Sequence, residues 1–169
     1  IGVLGVNSYS RAVVRHAPGV PLVQASESRP EGAESSEMWE IFPPGMYEIL
    51  TRVWRDYHPP RIMVTENGMP LRDAPGRDGE VRDARRIRYL RDHLIQVHKA
   101  IQDGVPVLGY FCWSLLDNFE WALGFGPRFG LVYVDYPTQR RIIKDSGRWL
   151  ARVIKGNGFS LDQLEAGGA

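Results

Sequence analysis

The sequence predicts an α/β fold assembled from parallel β/α units, on three observations. Short apolar runs alternate with longer segments of helical periodicity in the order strand, helix, strand, helix, strand, helix, a pattern of crossover units. The run from Val107 to Trp113 is apolar throughout, as a strand covered on both faces should be. Each run also stops at polar or aromatic residues: Asn7 and Tyr9, then Glu66 and Asn67, then Trp113. Function in parallel β/α proteins gathers at the carboxyl ends of the strands, so these residues are the first site candidates. A closed β/α barrel takes eight strands and roughly 250 residues. The 169 residues here are therefore expected to be part of such an assembly.

The elements follow in order. Gly2 to Tyr9 reads as the first strand. Residues 15 to 37 are rich in Pro, Ser, Glu and Gly and read as a long surface excursion with little apolar content to anchor it. Pro43-Pro44 opens a helix in which Met46, Ile49, Leu50, Val53 and Tyr57 share one face. His58-Pro59-Pro60 stops it. Ile62 to Thr65 is a second strand and runs directly into Glu66-Asn67-Gly68, followed by a polar loop with glycines 76 and 79. Asp83 is placed to cap the next helix. There Ile87, Leu90, Leu94, Val97 and Ile101 recur at gaps of three and four, predicting one buried stripe. Gly104 and Pro106 end that helix. After the third strand a loop spans Asn118 to Arg128, and Leu131 to Val134 pairs with Arg141 to Ile143 around Pro137. A last helix carries Trp149, Leu150, Val153 and Ile154 and is closed by Gly156 and Gly158. The tail from Ala166 is expected to fray.

Composition narrows the function classes. Apolar residues make up 43% and charged residues 24%, the mix of a globular protein. A net charge of +1 gives no electrostatic reason to expect a nucleic-acid or anionic-membrane partner. The arginines from Arg82 to Arg91 are interrupted by Asp83 and read as a solvated helix face. No stretch approaches the ~20 apolar residues of a membrane span. Cys112 is the one cysteine, so no internal disulfide can form, which leans towards a reducing, cytoplasmic setting. The chain opens at Ile1 and shows no secretory signal; the expectation is that it starts inside a larger protein.

Glu66 is the sharpest chemical candidate. A carboxylate at a strand end has a fixed backbone, which suits attack on an anomeric carbon. On spacing alone, a glutamate there serves equally as a helix cap or an ion-pair partner. His16, His58, His93 and His98 do not cluster, and no metal or other cofactor is expected. Cys112, inside an apolar run, reads as a packed thiol. Gly124-Phe125-Gly126 is too short for a dinucleotide fingerprint. Asp117 and Asn118 are expected to organise their loop, and Trp39, Trp54 and Trp149 to pack.

Three separated segments carry a family resemblance. Ile62 to Gly68, IMVTENG, resembles the nucleophile motif of glycoside hydrolase family 1. Asn7-Ser8-Tyr9 resembles the N-Y-Y signature on the family's sixth barrel strand, with serine in place of the first tyrosine. Trp113 to Trp121, WSLLDNFEW, is similar almost residue for residue to the segment after the eighth strand, and Arg128 to Tyr136 continues it. The resemblance implies the C-terminal part of a (β/α)8 TIM barrel, strands six to eight with their helices. It implies a retaining β-glucosidase with Glu66 as the nucleophile, Tyr9 donating to that carboxylate and Asn7 close to the carboxylate pair. It further implies that Trp113 is the platform under the sugar ring, that Glu120 accepts from the O4 and O6 hydroxyls, that Trp121 donates to O3 and that Phe129 lines the pocket. Glu120 also speaks against 6-phospho-sugars, since a carboxylate beside O6 repels phosphate.

A retaining glycosidase needs a second carboxyl group about 5 Å from the first as acid/base. The family takes it from a T-x-N-E-P motif after the fourth strand, and no such motif occurs here. The implied partners are a β-glucoside substrate and a polypeptide carrying strands one to five, or self-association across open sheet edges. The alternative is a non-catalytic sugar-binding or assembly lobe that keeps Trp113, Glu120 and Trp121 without the acid.

Overall fold

The computed structural model describes residues 1–160; the tail from Ala166 lies outside them. Three strands, β1 (Leu4–Asn7), β4 (Ile62–Asn67) and β5 (Val107–Cys112), form one parallel sheet in the order β1-β4-β5. The exposed β2 (Val14–His16) and β3 (Ala25–Glu27) make a separate antiparallel pair, and β6 (Val132–Val134) and β7 (Arg141–Ile143) another. The helices are α1 (Pro44–Tyr57), α2 (Ala84–Gln102) and α3 (Asp145–Gly156). Connecting parallel strands through α1 and α2 is what the alternating apolar pattern predicts. The β6–β7 hairpin also forms where the sequence places it, with Val132 opposite Ile143.

The core has two parts. Val6, Ile62 and Val64 from the sheet meet Met46 and Leu50 of α1 and Val97 and Ala100 of α2. Beyond the carboxyl end of β4, Met69 packs with Tyr89 and Leu90 of α2, Leu131, and Trp149 and Leu150 of α3. Burying side chains of this kind contributes about 1.5–3 kcal/mol each, which fixes the helices on the sheet and the strand ends relative to one another.

Several details differ from the sequence expectation, each for a physical reason. The excursion over residues 15 to 37 includes most of the β2–β3 pair, which starts at Val14; its strands are three residues long and mostly exposed, so no apolar alternation marks them. Asp83 precedes α2, but its side chain does not cap that helix. Its carboxylate instead accepts from the backbone N–H of Ser146, 2.8 Å, in the first turn of α3, and from the Ser146 hydroxyl, 2.5 Å. The buried face of α2 includes most of the predicted aliphatic stripe, with Leu90 and Val97 buried and Ile87 and Leu94 packed against the core, but it is broader and more polar than expected. Arg86, Tyr89, Leu90, His93, Val97 and Ala100 are buried, whereas Ile101 is exposed. Arg86 therefore leaves the solvated arginine run: its guanidinium pairs with Asp83, and with Asp73 at 2.8 Å. Asn157, not a glycine, closes α3 in a left-handed conformation, φ 48°. On β5, Leu108 is 56% and Phe111 57% exposed. This strand is at the edge of the sheet, so the double covering its composition predicts is not provided by the described residues.

Candidate active site

The carboxyl ends of β1, β4 and β5 converge. The register slips between Val6 and Asn7 on β1 and between Val64 and Asn67 opposite β5. Irregularities of this kind turn a side chain out of the regular pleat. After them Tyr9 and Glu66 meet: the phenol donates to Oε2 of Glu66 at 2.6 Å. Burial first, and then the adjacent Glu66 carboxylate, push the Tyr9 phenol well above its ordinary value. The phenol therefore keeps its proton and stays a donor to Glu66. Asn7 lies across from Glu66 in the sheet, but its side-chain oxygen accepts from the Thr65 hydroxyl at 2.6 Å.

Gly68 explains why this strand end needs a glycine. A Cβ there would stand 1.7 Å from the carbonyl oxygen of Trp113. The two backbones are further tied by the Trp113 N–H donating to the Asn67 carbonyl, 2.8 Å. Trp113 is thus registered directly against the strand that carries Glu66.

Asn67 is fully buried and uses both ends of its amide. Nδ2 donates to the Ser8 carbonyl at 2.7 Å and to the Tyr89 hydroxyl at 2.9 Å, and Oδ1 accepts from Tyr110 at 2.6 Å. The Tyr89 hydroxyl donates in turn to the Tyr9 carbonyl at 2.9 Å. The sequence signal for this cluster was one polar residue ending a buried apolar strand.

Phe129 is buried, 1% exposed, with its ring 6.5 Å from that of Tyr9 and 5.9 Å from that of Trp39. Trp39 also stands 5.2 Å from Tyr9. Although its spacing reads as packing, this indole borders the Tyr9–Glu66 pair, and its N–H is buried without a partner among the described residues. Thirty residues separate it from Tyr9, and nothing in the local sequence brings it there.

The loop after β5 is organised from below. Asp117 is buried and accepts from Lys144 at 2.9 Å, from Arg128 at 2.7 Å and from the Gly130 N–H at 2.9 Å. Lys144 reaches Asp73 as well, 2.6 Å. Asn118 contacts Glu120, with Nδ2 3.3 Å from Oε2. Asp117 and Asn118 thus hold the loop in the way the sequence suggests. Trp121 follows in a left-handed conformation, φ 44°, and is 82% exposed, so its indole is presented outward. The structure brings Glu66, Tyr9 and Phe129 together with Trp113 beside them, while Trp121 has no packed pocket among the described residues.

The site is an open face. A depression of about 460 Å³ lies at the opposite, amino ends of the strands, against Leu4, Val53 and Pro60. Another of about 240 Å³ adjoins Trp39 between Arg11, Arg29 and Glu40. Neither includes Glu66. No group of three or more His, Cys, Asp or Glu side chains suited to a metal ion occurs among the described residues. Burial pushes the Cys112 thiol up to about 12, far from a reactive thiolate.

Comparison with known proteins gives the family of the chain. The pattern of Glycosyl hydrolase family 1 matches residues 1–159. Beta-glucosidase A of Thermotoga maritima is 49% identical over 159 residues, covering 94% of this chain and 35% of that protein. The structure of the family 1 β-glucosidase from Thermotoga maritima superposes with a TM-score of 0.91 at 49% identity, over 95% of this chain and 36% of the other. The Thermotoga maritima β-glucosidase in complex with deoxynojirimycin gives a TM-score of 0.90 at 48% identity, with the same coverage of 95% and 36%. The chain therefore spans about 36% of the length of the relatives it matches.

Proposed function

The chain belongs to glycosyl hydrolase family 1, a family of hydrolases, and from that membership we propose that it is the nucleophile-bearing segment of a retaining β-glucosidase. The observation that carries the reading is the Tyr9 phenol donating to Glu66 Oε2 at 2.6 Å, at the ends of adjacent parallel strands. A carboxylate oriented by a phenol donor and fixed by a strand is suited to attack on an anomeric carbon. The substrate is a terminal non-reducing β-D-glucosyl group.

In the first step an oxygen of Glu66 forms a bond to C1 as the C1–O bond to the leaving group breaks. The leaving oxygen takes a proton from a carboxylic acid that this chain does not carry. In the second step water attacks C1 and the ester bond to Glu66 breaks. The same outside carboxylate takes the water's proton, so the sum is addition of one water across the glycosidic bond. Trp113 supplies a flat face to the sugar ring. Glu120 accepts from O4 and O6 and disfavours a 6-phosphate, Trp121 donates to O3, and Phe129 closes the apolar wall.

In this reading the segment supplies strands six to eight, and a polypeptide with strands one to five supplies the acid. The order of the N-S-Y, T-E-N-G and W-S-L-L-D-N-F-E-W segments supports that placement, as does a three-stranded sheet whose neighbours follow chain order. The test is a 2-deoxy-2-fluoro-β-glucoside with a dinitrophenolate leaving group, applied to the assembled enzyme. Mass mapping is expected to find the sugar on Glu66. Turnover of a β-glucoside together with label on any other residue would refute the assignment. Sugar binding with neither label nor turnover would point to a non-catalytic lobe.

A further inference from the structure

We propose that Tyr89, on α2 and out of reach of any substrate, is a positioning residue for the Tyr9–Glu66 pair. The inference rests on the reading of Glu66 as nucleophile and adds a part to it. Tyr9 lies two residues beyond the end of β1, so the parallel ladder does not hold it. Three contacts take the ladder's place. The Ser8 N–H donates to the Glu66 carbonyl at 3.0 Å. The Ser8 carbonyl accepts from Asn67 at 2.7 Å, and the Tyr9 carbonyl accepts from Tyr89 at 2.9 Å.

The donors in this cluster leave no freedom. Tyr110 has one hydroxyl proton and gives it to Asn67 Oδ1. That fixes the amide orientation and sends both Nδ2 protons to the Ser8 carbonyl and the Tyr89 oxygen. With its oxygen accepting, Tyr89 gives its own proton to the Tyr9 carbonyl. Tyr89 is buried, and its ring lies 3.9 Å from that of His93, whose Nδ1 is 2.8 Å from the Tyr89 carbonyl. The Tyr9 backbone is therefore fastened to a helix that is itself packed in the core. The direction of the phenol over Glu66 follows from where that carbonyl is held.

A double-mutant cycle tests this on the barrel completed with strands one to five. The probe is the same fluoroglucoside, which needs no general acid to release dinitrophenolate. The amplitude of release counts competent sites, and the rate constant reports how well each site attacks. Tyr89→Phe is expected to lower the rate per site roughly tenfold at unchanged amplitude. In a Tyr9→Phe background the same change is expected to cost less than about twofold, because the group it acts through is gone. An equal rate effect in both backgrounds would overturn the proposal, and so would a loss of amplitude alone. If Tyr89→Phe does not fold, Tyr110→Phe, which frees Asn67 from the other side, is put through the same cycle with the same criteria. A Tyr9→Phe enzyme trapped at the parent rate would instead remove the Tyr9–Glu66 reading itself, and the positioning role with it.

Discussion

The backbone of Gly68 passes so close to Trp113 that a single added methyl would stand 1.7 Å from the Trp113 carbonyl oxygen. The Gly68 segment cannot yield easily, because the preceding residue, Asn67, is fully buried and hydrogen-bonded on both sides. Gly68→Ala is expected to destabilise the fold by about 1–3 kcal/mol, the usual cost of overpacking. If Trp113 is the proposed sugar platform, the same change is also expected to lower kcat/KM of the assembled enzyme by roughly a hundredfold, since it separates Glu66 from Trp113. Thermal denaturation and steady-state kinetics check the two effects separately.

Lys144 is fully buried between Asp73 and Asp117. Burial first, and then the neighbouring Arg86, lower its ammonium from the ordinary value, while the two carboxylates oppose the shift. Lys144→Met removes one partner and leaves carboxylates buried without it, an imbalance that costs about 3–5 kcal/mol. Urea denaturation is expected to show a loss of that order. Because the pair is shielded from solvent, the loss should change little between low and high salt.

His93 gives the stability a defined pH window. Burial pushes its imidazole down to about 4 from 6.5. Between those values the unfolded chain binds a proton that the folded chain refuses, so stability falls as pH drops from about 6.5 towards 4. The loss amounts to about 3 kcal/mol at the lower end. Above about pH 7 His93 contributes no pH dependence. Denaturation midpoints at pH 7.5 and pH 5 are expected to lie further apart for the parent than for His93→Phe.

The chain alone is expected to leave cellobiose essentially unhydrolysed, because general acid help to the leaving alcohol is worth ~10²–10⁴ in rate. Glucose release measured before and after adding a polypeptide with strands one to five should rise by at least that factor. Release near the rate of a complete enzyme from this chain alone would contradict the division of labour between the two carboxyl groups.

Periodicity made the three parallel strands and three helices legible, because runs of the length of Ile62–Asn67 and Ala84–Gln102 repeat their pattern often enough to be read. Strands of three exposed residues, such as Val14–His16, carry no such pattern. The meeting of Glu66 and Tyr9 was legible because polar side chains stand where the apolar runs stop. Arg86 and Trp39 were not: one was hidden in a run of like charges, and the other borders a tyrosine thirty positions earlier in the chain. Asp83 precedes α2 yet bonds to the first turn of α3, for a related reason. Local spacing suggests a capping residue, but it does not say which amide the carboxylate will find.

The reach of the Asp83 carboxylate to α3 bears on the order in which the molecule is made. Asp83 is satisfied by Ser146, synthesised 63 residues later. Likewise Asp73 waits 71 residues for Lys144. A growing polypeptide can wind its second helix early, yet it must carry a half-answered cluster of acids and one arginine until the last helix emerges. Until the first turn of α3 has emerged, Asp73 and Asp83 have Arg86 as their shared cation, and their bonds to Lys144 and Ser146 have yet to form.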